Sequence, residues 1–88
     1  MKLNELTELI EKEMTFGFIE YGPYHSAHEQ YAVLKEEVEE WWDAIKGNMA
    51  DSCQYELLQV AAVALRYIIE NGDAESIANV QRMRHNKT

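Results

Sequence analysis

Residues 34–46 read LKEEVEEWWDAIK and place four glutamates, Glu36, Glu37, Glu39 and Glu40, directly before two tryptophans. Carboxylates this dense raise one another's proton affinity. A divalent cation removes that cost, and on a helix Glu36, Glu37 and Glu40 stand at i, i+1 and i+4, from which all three can reach toward one ion. Hard cations such as Mg²⁺ or Mn²⁺ prefer oxygen ligands of this kind. A solvated helix face has the same composition, so the run alone does not define a site. A second acid shifts the balance: Glu56 lies in YELLQVAAVALRYII, a segment apolar around most of its helical circumference. A carboxylate there needs a partner. A metal shared with residues 36–40 would be one; Arg66 or a lysine elsewhere would be another.

Positioning these acids takes two helices, and the punctuation of the chain predicts four. The first runs from about Asn4 to Met14, with Leu3, Leu6, Leu9, Ile10 and Met14 on one face. The stretch FGFIEYGPYH then predicts an ordered loop, because Gly17, Gly22 and Pro23 break helices. Ser26 and Glu29 fit a capping box that opens a second helix ending at Gly47-Asn48. A third begins between Met49 and Ser52 and ends at Asn71-Gly72. Asp73 caps a fourth through about Arg84, with Ile77, Val80 and Met83 as its apolar positions. No strand pattern competes, so the fold class is all-α, a small bundle of about four helices in a single domain.

On a wheel at ~100° per residue, Tyr31, Leu34, Val38, Trp41, Trp42 and Ile45 of the second helix fall within an arc of about 120°. That arc predicts the core stripe. Lys35, Glu39 and Asp43 lie opposite as solvated surface. Glu29, Glu36, Glu37 and Glu40 share the arc between with Val33 and Ala44, so the acidic arc borders the core and faces a neighbouring helix.

Composition narrows the functional classes. The chain has 88 residues, 47% of them hydrophobic, with a formal net charge of −8. The acidic balance disfavours a nucleic-acid partner and suits cations and, through them, the phosphates of small molecules. A lone cysteine, Cys53, excludes an intrachain disulfide and a thiolate cluster, and its apolar context predicts a small buried hydrophobe. The acidic, amphipathic N-terminus is unlike a targeting peptide. The longest apolar-rich run, residues 57–69, contains Gln59 and Arg66 and is too short to span a bilayer. The expectation is a soluble cytoplasmic protein with no membrane partner.

An EExxE on one helix followed by an ExxD-type motif on the next resembles the MazG-like superfamily of all-α nucleotide pyrophosphohydrolases, small phage-type members in particular. The matching residues are Glu36-Glu37-Val38-Glu39-Glu40 and Glu56-Leu57-Leu58-Gln59, and the resemblance covers about residues 25–70. It implies Mg²⁺-dependent hydrolysis of a nucleoside triphosphate to the monophosphate and pyrophosphate, with Mn²⁺ as an alternative cation. Glu37, Glu40 and Glu56 match metal-ligand positions, and Glu36 matches a position that binds metal or orients the attacking water. Gln59 stands where the family pattern has aspartate. A carboxamide oxygen can bind a hard cation without contributing charge, so Gln59 is a ligand, a substrate contact, or the mark of a catalytically impaired nucleotide-binding or protein-interaction module.

Further substrate contacts are open. His28 is a candidate for phosphate or base, with a cap contact as the alternative. Tyr31, like Tyr21 and Tyr24, could stack on a base or simply fill core. Lys35, Lys46, Arg66, Arg82 and Arg84 are unranked candidates for phosphate, and Arg82, Arg84, His85 and Lys87 form a basic end that suits the last helix's dipole. Finally, the third helix is apolar on more sides than a chain of this length can cover. A homo-oligomer, dimer or tetramer, is expected, with that helix central to the interface.

Overall fold

Local capping sets most helix boundaries. The computed structural model describes residues 1–86, with α1 Leu3–Tyr21, α2 Ala27–Lys46, α3 Ala50–Asn71 and α4 Ala74–His85. No strand occurs among the described residues, and Lys87 of the basic C-terminal end lies outside them. Ser26 Oγ accepts from the Glu29 N–H at 3.1 Å, while the Glu29 carboxylate reaches back to the His25 N–H at 3.4 Å. This is a capping box closed one residue further upstream than usual. α2 ends in a Schellman turn: the N–H of Asn48 donates to the Ile45 carbonyl and that of Met49 to the Ala44 carbonyl, with Asn48 at φ 55°. Asp73 caps α4. The Ser76 hydroxyl and then the Ser76 N–H donate to its carboxylate, at 2.6 and 3.0 Å, and hold it below the usual carboxylate range.

α1 departs from the sequence expectation. It does not stop near Met14 but continues to Tyr21, so most of the expected loop is helical. Gly17 is a point of close approach rather than a breaker, since a Cβ placed there would lie 2.9 Å from Arg66 Nη1. An interior glycine costs a helix about 1 kcal/mol relative to alanine, and the packing of α1 on α3 offsets it. The true stop is Gly22, whose φ of 70° is a left-handed conformation that glycine adopts without strain. Its N–H closes the helix on the Phe18 carbonyl at 3.0 Å.

α3 is the hub. α1 and α2 each pack against it but not against each other, and α4 packs on none of the three. The buried core is correspondingly small: Met14, Ala44, Ala62 and Val63, together with Arg66. The apolar arc of α2 expected to be core is largely uncovered. Tyr31 and Trp42 are 65% and 54% exposed, Val38 and Ile45 are exposed, and only Leu34 and Trp41 are half-buried. α2 has one helical neighbour in the chain, so one arc is covered, and it is the arc that carries buried Ala44 with half-buried Val33 and Glu37. Cys53, expected to be buried, is half-buried. Ile77, Val80 and Met83 of α4 are exposed.

The four helices therefore do not close on themselves. The radius of gyration is 15.0 Å, against about 12 Å for a compact domain of this length. The accessible surface is 7025 Å², against about 5,400 Å² for a folded monomer of this mass. No helix among the described residues is long and apolar enough to cross a membrane.

The Gly17–Arg66 contact yields a sign-reversing test. Gly17→Ala is expected to destabilise the protein by about 1–3 kcal/mol through overpacking, measured by urea unfolding. In an Arg66→Met background the same substitution should stabilise it by up to about 1 kcal/mol, because helix propensity then acts alone. Equal effects in both backgrounds would show that glycine is not there to admit the guanidinium.

Candidate metal centre

The packing of α2 on α3 turns two separate acidic features into one cluster. Glu37 and Glu40, one turn apart on α2, meet Glu56 from the first half of α3. One oxygen from each carboxylate lies within 4.8 Å of the other two. Glu37 and Glu56 are half-buried and Glu40 is exposed. The Glu37 carboxyl is pushed up to about 7, first by burial and then by the charges of Glu40, Glu56 and Glu36. Burial, followed by the Glu40 carboxylate, raises Glu56 in the same direction. No basic side chain relieves this crowding: the only ion pair among the described residues is Lys46–Asp43, 3.3 Å apart on the surface of α2. Carboxylate oxygens are the donor type that hard divalent cations take, although exposed acidic groups are also common without an ion.

The cluster borders a cleft of about 600 Å³, within the size range of small-molecule sites. α2 contributes Glu29, Val33, Glu36, Glu37 and Glu40 to its walls, α3 contributes Gln59, Ala62, Val63 and Arg66, and α1 and the following turn contribute Met14, Gly17, Tyr24 and His25. A smaller hollow shares Glu37 and Glu40 with it and is lined also by Glu56 and Tyr55. The structure thus gathers Glu36, Glu37, Glu40, Glu56 and Gln59 around two adjoining spaces. It does not bring His28, Tyr31 or Lys35 there: all three are exposed and line neither space. Arg66 does not pair with Glu56, since it forms no ion pair among the described residues.

Sequence reasoning missed one residue. Glu13 of α1 lines both spaces. Gln59 Nε2 donates to Glu13 Oε2 and, at 2.8 Å, to the Tyr55 hydroxyl, which itself donates to Glu13 Oε2 at 3.2 Å. Burial and then the Glu13 charge push the Tyr55 hydroxyl above its ordinary value. A fourth carboxylate therefore stands beside the position where a carboxamide replaces the acid of the resembling motif. The signal was available: Glu13 falls in helical register with Leu6, Leu9, Ile10 and Met14, so it is a charge within an apolar stripe. Set against protein-family models, curated proteins and solved structures, the chain matches none of them.

The pH dependence of the metal-free protein follows from Glu37. Its proton is held more tightly in the folded than in the unfolded chain, so protonation stabilises the fold. That contribution is complete below about 4.5 and is lost as the pH rises through about 7; Glu56 adds to the same slope. In chelator, the thermal midpoint is expected to fall between pH 5 and pH 8. Glu37→Gln should flatten that profile and melt above wild type at pH 8. Circular dichroism melts that show wild type as stable as the variant at pH 8 would remove the claim that the carboxylates crowd one another.

Proposed function

We propose that the protein is a divalent-metal-dependent nucleoside-triphosphate pyrophosphohydrolase on the MazG-like all-α plan, releasing pyrophosphate and leaving the monophosphate. One observation carries this reading: Glu37, Glu40 and Glu56 converge from two helices at the edge of a cleft large enough for a nucleotide. The resemblance of residues 36–40 and 56–59 to paired acidic motifs supports it. Glu37, Glu40 and Glu56 would hold Mg²⁺ or Mn²⁺, which when bound supplies charge neutralisation for the triphosphate and activation of water. Glu36 lines the same wall, and one of its carboxylate oxygens takes the proton of the attacking water as the bond to the departing pyrophosphate breaks. Gln59 spends its Nε2 on Glu13 and Tyr55, which leaves its Oε1 as an acceptor for cation or substrate. A nucleotide substrate would place this activity in the cytoplasm.

The test is turnover of a (d)NTP panel with Mg²⁺ or Mn²⁺, scored by pyrophosphate and monophosphate. Glu40→Gln and Glu56→Gln are each expected to lower kcat/KM by about 100-fold or more, since loss of a supporting partner to a metal ligand alone costs about 10–100-fold. No turnover of any nucleotide, with Glu40→Gln indistinguishable from wild type, removes the enzyme. Gln59 favours a second reading, a module that binds nucleotide or a protein partner without hydrolysis. Calorimetric binding with no product formed would select it.

The working form is, in this reading, a homo-oligomer. The surface in excess of a compact monomer, about 1,600 Å² by the comparison above, is twice what one partner buries in a standard interface. Much of the exposed area is apolar, including Val38 and Trp42 on α2 and Leu57, Leu65 and Ile68 on α3. Light scattering at micromolar concentration should give a dimer or tetramer. A monodisperse 10.3 kDa species that stays folded would refute it.

A further inference from the structure

Arg66 is the one buried charged residue among the described residues, with 4% of its surface exposed. Its guanidinium carbon lies 4.3 Å from the centre of the Tyr24 ring and 5.2 Å from that of Phe18. Ring faces compensate part of the charge, but they leave the N–H groups without conventional acceptors. Nη1 has no hydrogen-bond partner and is shielded from water. Glu70, one turn further along α3, forms no ion pair with Arg66 among the described residues, and its own Oε1 is likewise buried and unpartnered. Burying an unpaired cation is costly, so the arrangement calls for an anion.

The surroundings say where that anion arrives. The side chain extends from α3 toward Gly17 and Tyr24, and all three residues line the cleft that holds Glu36, Glu37 and Glu40. Gln59 and Arg66 are seven residues apart in α3, two turns on one face and a rise of about 10 Å. Toward Glu36, Glu37 and Glu40 the lining is acidic and suits a cation; toward Tyr24 it carries Arg66, the one arginine or lysine among the lining residues, together with Glu29. A chain of phosphates complements both, with some oxygens on a cation and others on arginine. We propose that Arg66 is the anion anchor of this cleft and binds a phosphate group of a polyphosphate ligand that bridges to the acidic end. Naming phosphate rests on the nucleotide reading of the cleft; the need for an anion rests on Arg66 itself. Tyr24 and Phe18 hold the guanidinium plane, and Gly17 gives it room.

The probe is inorganic tripolyphosphate with Mg²⁺, titrated calorimetrically into the full chain. Wild type should bind, Arg66→Met should weaken binding by about 10- to 100-fold, as expected for charge-assisted hydrogen bonds, and Arg66→Lys should retain part of the affinity. Glu70→Gln should leave it unchanged. A thermal melt of each variant separates lost binding from lost folding. Should Arg66→Met fail to fold, the wild-type protein still decides: the Arg66 Nε–H resonance must shift on addition of tripolyphosphate. No binding by wild type, equal binding by a folded Arg66→Met, or an unmoved resonance each overturns the proposal. Binding that depends on Arg66 in a protein that hydrolyses no nucleotide would remove the enzyme and leave the anchor standing. Turnover with KM unchanged in a folded Arg66→Met would do the reverse.

Discussion

The contact between α2 and α3 sets carboxylate against carboxylate, and the rest of the molecule is arranged around that constraint. Glu37, Glu40 and Glu56 meet where two helices would ordinarily bury apolar side chains. The apolar contribution is made by small residues, Ala44 and Ala62 with Val63, so close approach of the backbones compensates for a core without large groups. The same crowding that pushes Glu37 to about 7 opposes closer packing, and the adjoining cleft stays open rather than filling with side chains. A structure selected for stability alone would place apolar residues at the half-buried positions of Glu37 and Glu56. Retaining three acids is intelligible if neutralisation comes from outside the chain.

α3 carries the polarity of the cleft along its length. Glu56 and Gln59 lie toward its N-terminal half, Ala62 and Val63 form the buried midsection, and Arg66 follows one turn later. Each polar group is fixed by a different device. Glu56 is held by the packing of α2 on α3, Gln59 by its amide on Glu13 and Tyr55, and Arg66 by two aromatic faces and a glycine gap. The extension of α1 to Tyr21 supplies two of these, since Phe18 and Gly17 belong to the turns that the sequence reading assigned to a loop. A helix ending at Met14 would leave Arg66 without the Phe18 face and the Gly17 gap.

This explains what was legible in the sequence and what was not. Caps such as Ser26, Asn48 and Asp73 act within a few residues, so the ends of α2 and the start of α4 could be read directly. The meeting of Glu37, Glu40 and Glu56 was readable because helical periodicity places each on an identifiable face. Gly17 was misread because propensity treats glycine as a breaker, whereas a tertiary contact more than offsets about 1 kcal/mol. Glu13 was visible in principle as a charge in an apolar stripe, yet its partners depend on the register of α1 on α3, which local sequence does not encode. Arg66 stood unranked among five basic residues. Only the three-dimensional packing shows that it is buried, stacked and unpaired.

The exposed apolar arc of α2 is separate from its acidic arc. Tyr31, Val38, Trp42 and Ile45 lie beside the acidic arc rather than upon it, separated by rotation about one helix axis. Another surface can cover the apolar arc without entering the cleft, and a ligand can enter the cleft without displacing that cover. Trp41 is half-buried at the boundary of the two arcs. Under the proposed function, assembly and ligand binding would share one helix but not one surface. Covering the apolar arc would restrain the orientation of α2, and with it the spacing of Glu37 and Glu40 against Glu56. A chain with so small a buried core has little else to hold that spacing, so the two proposed roles of α2 would be coupled through its rigidity rather than through any residue they share.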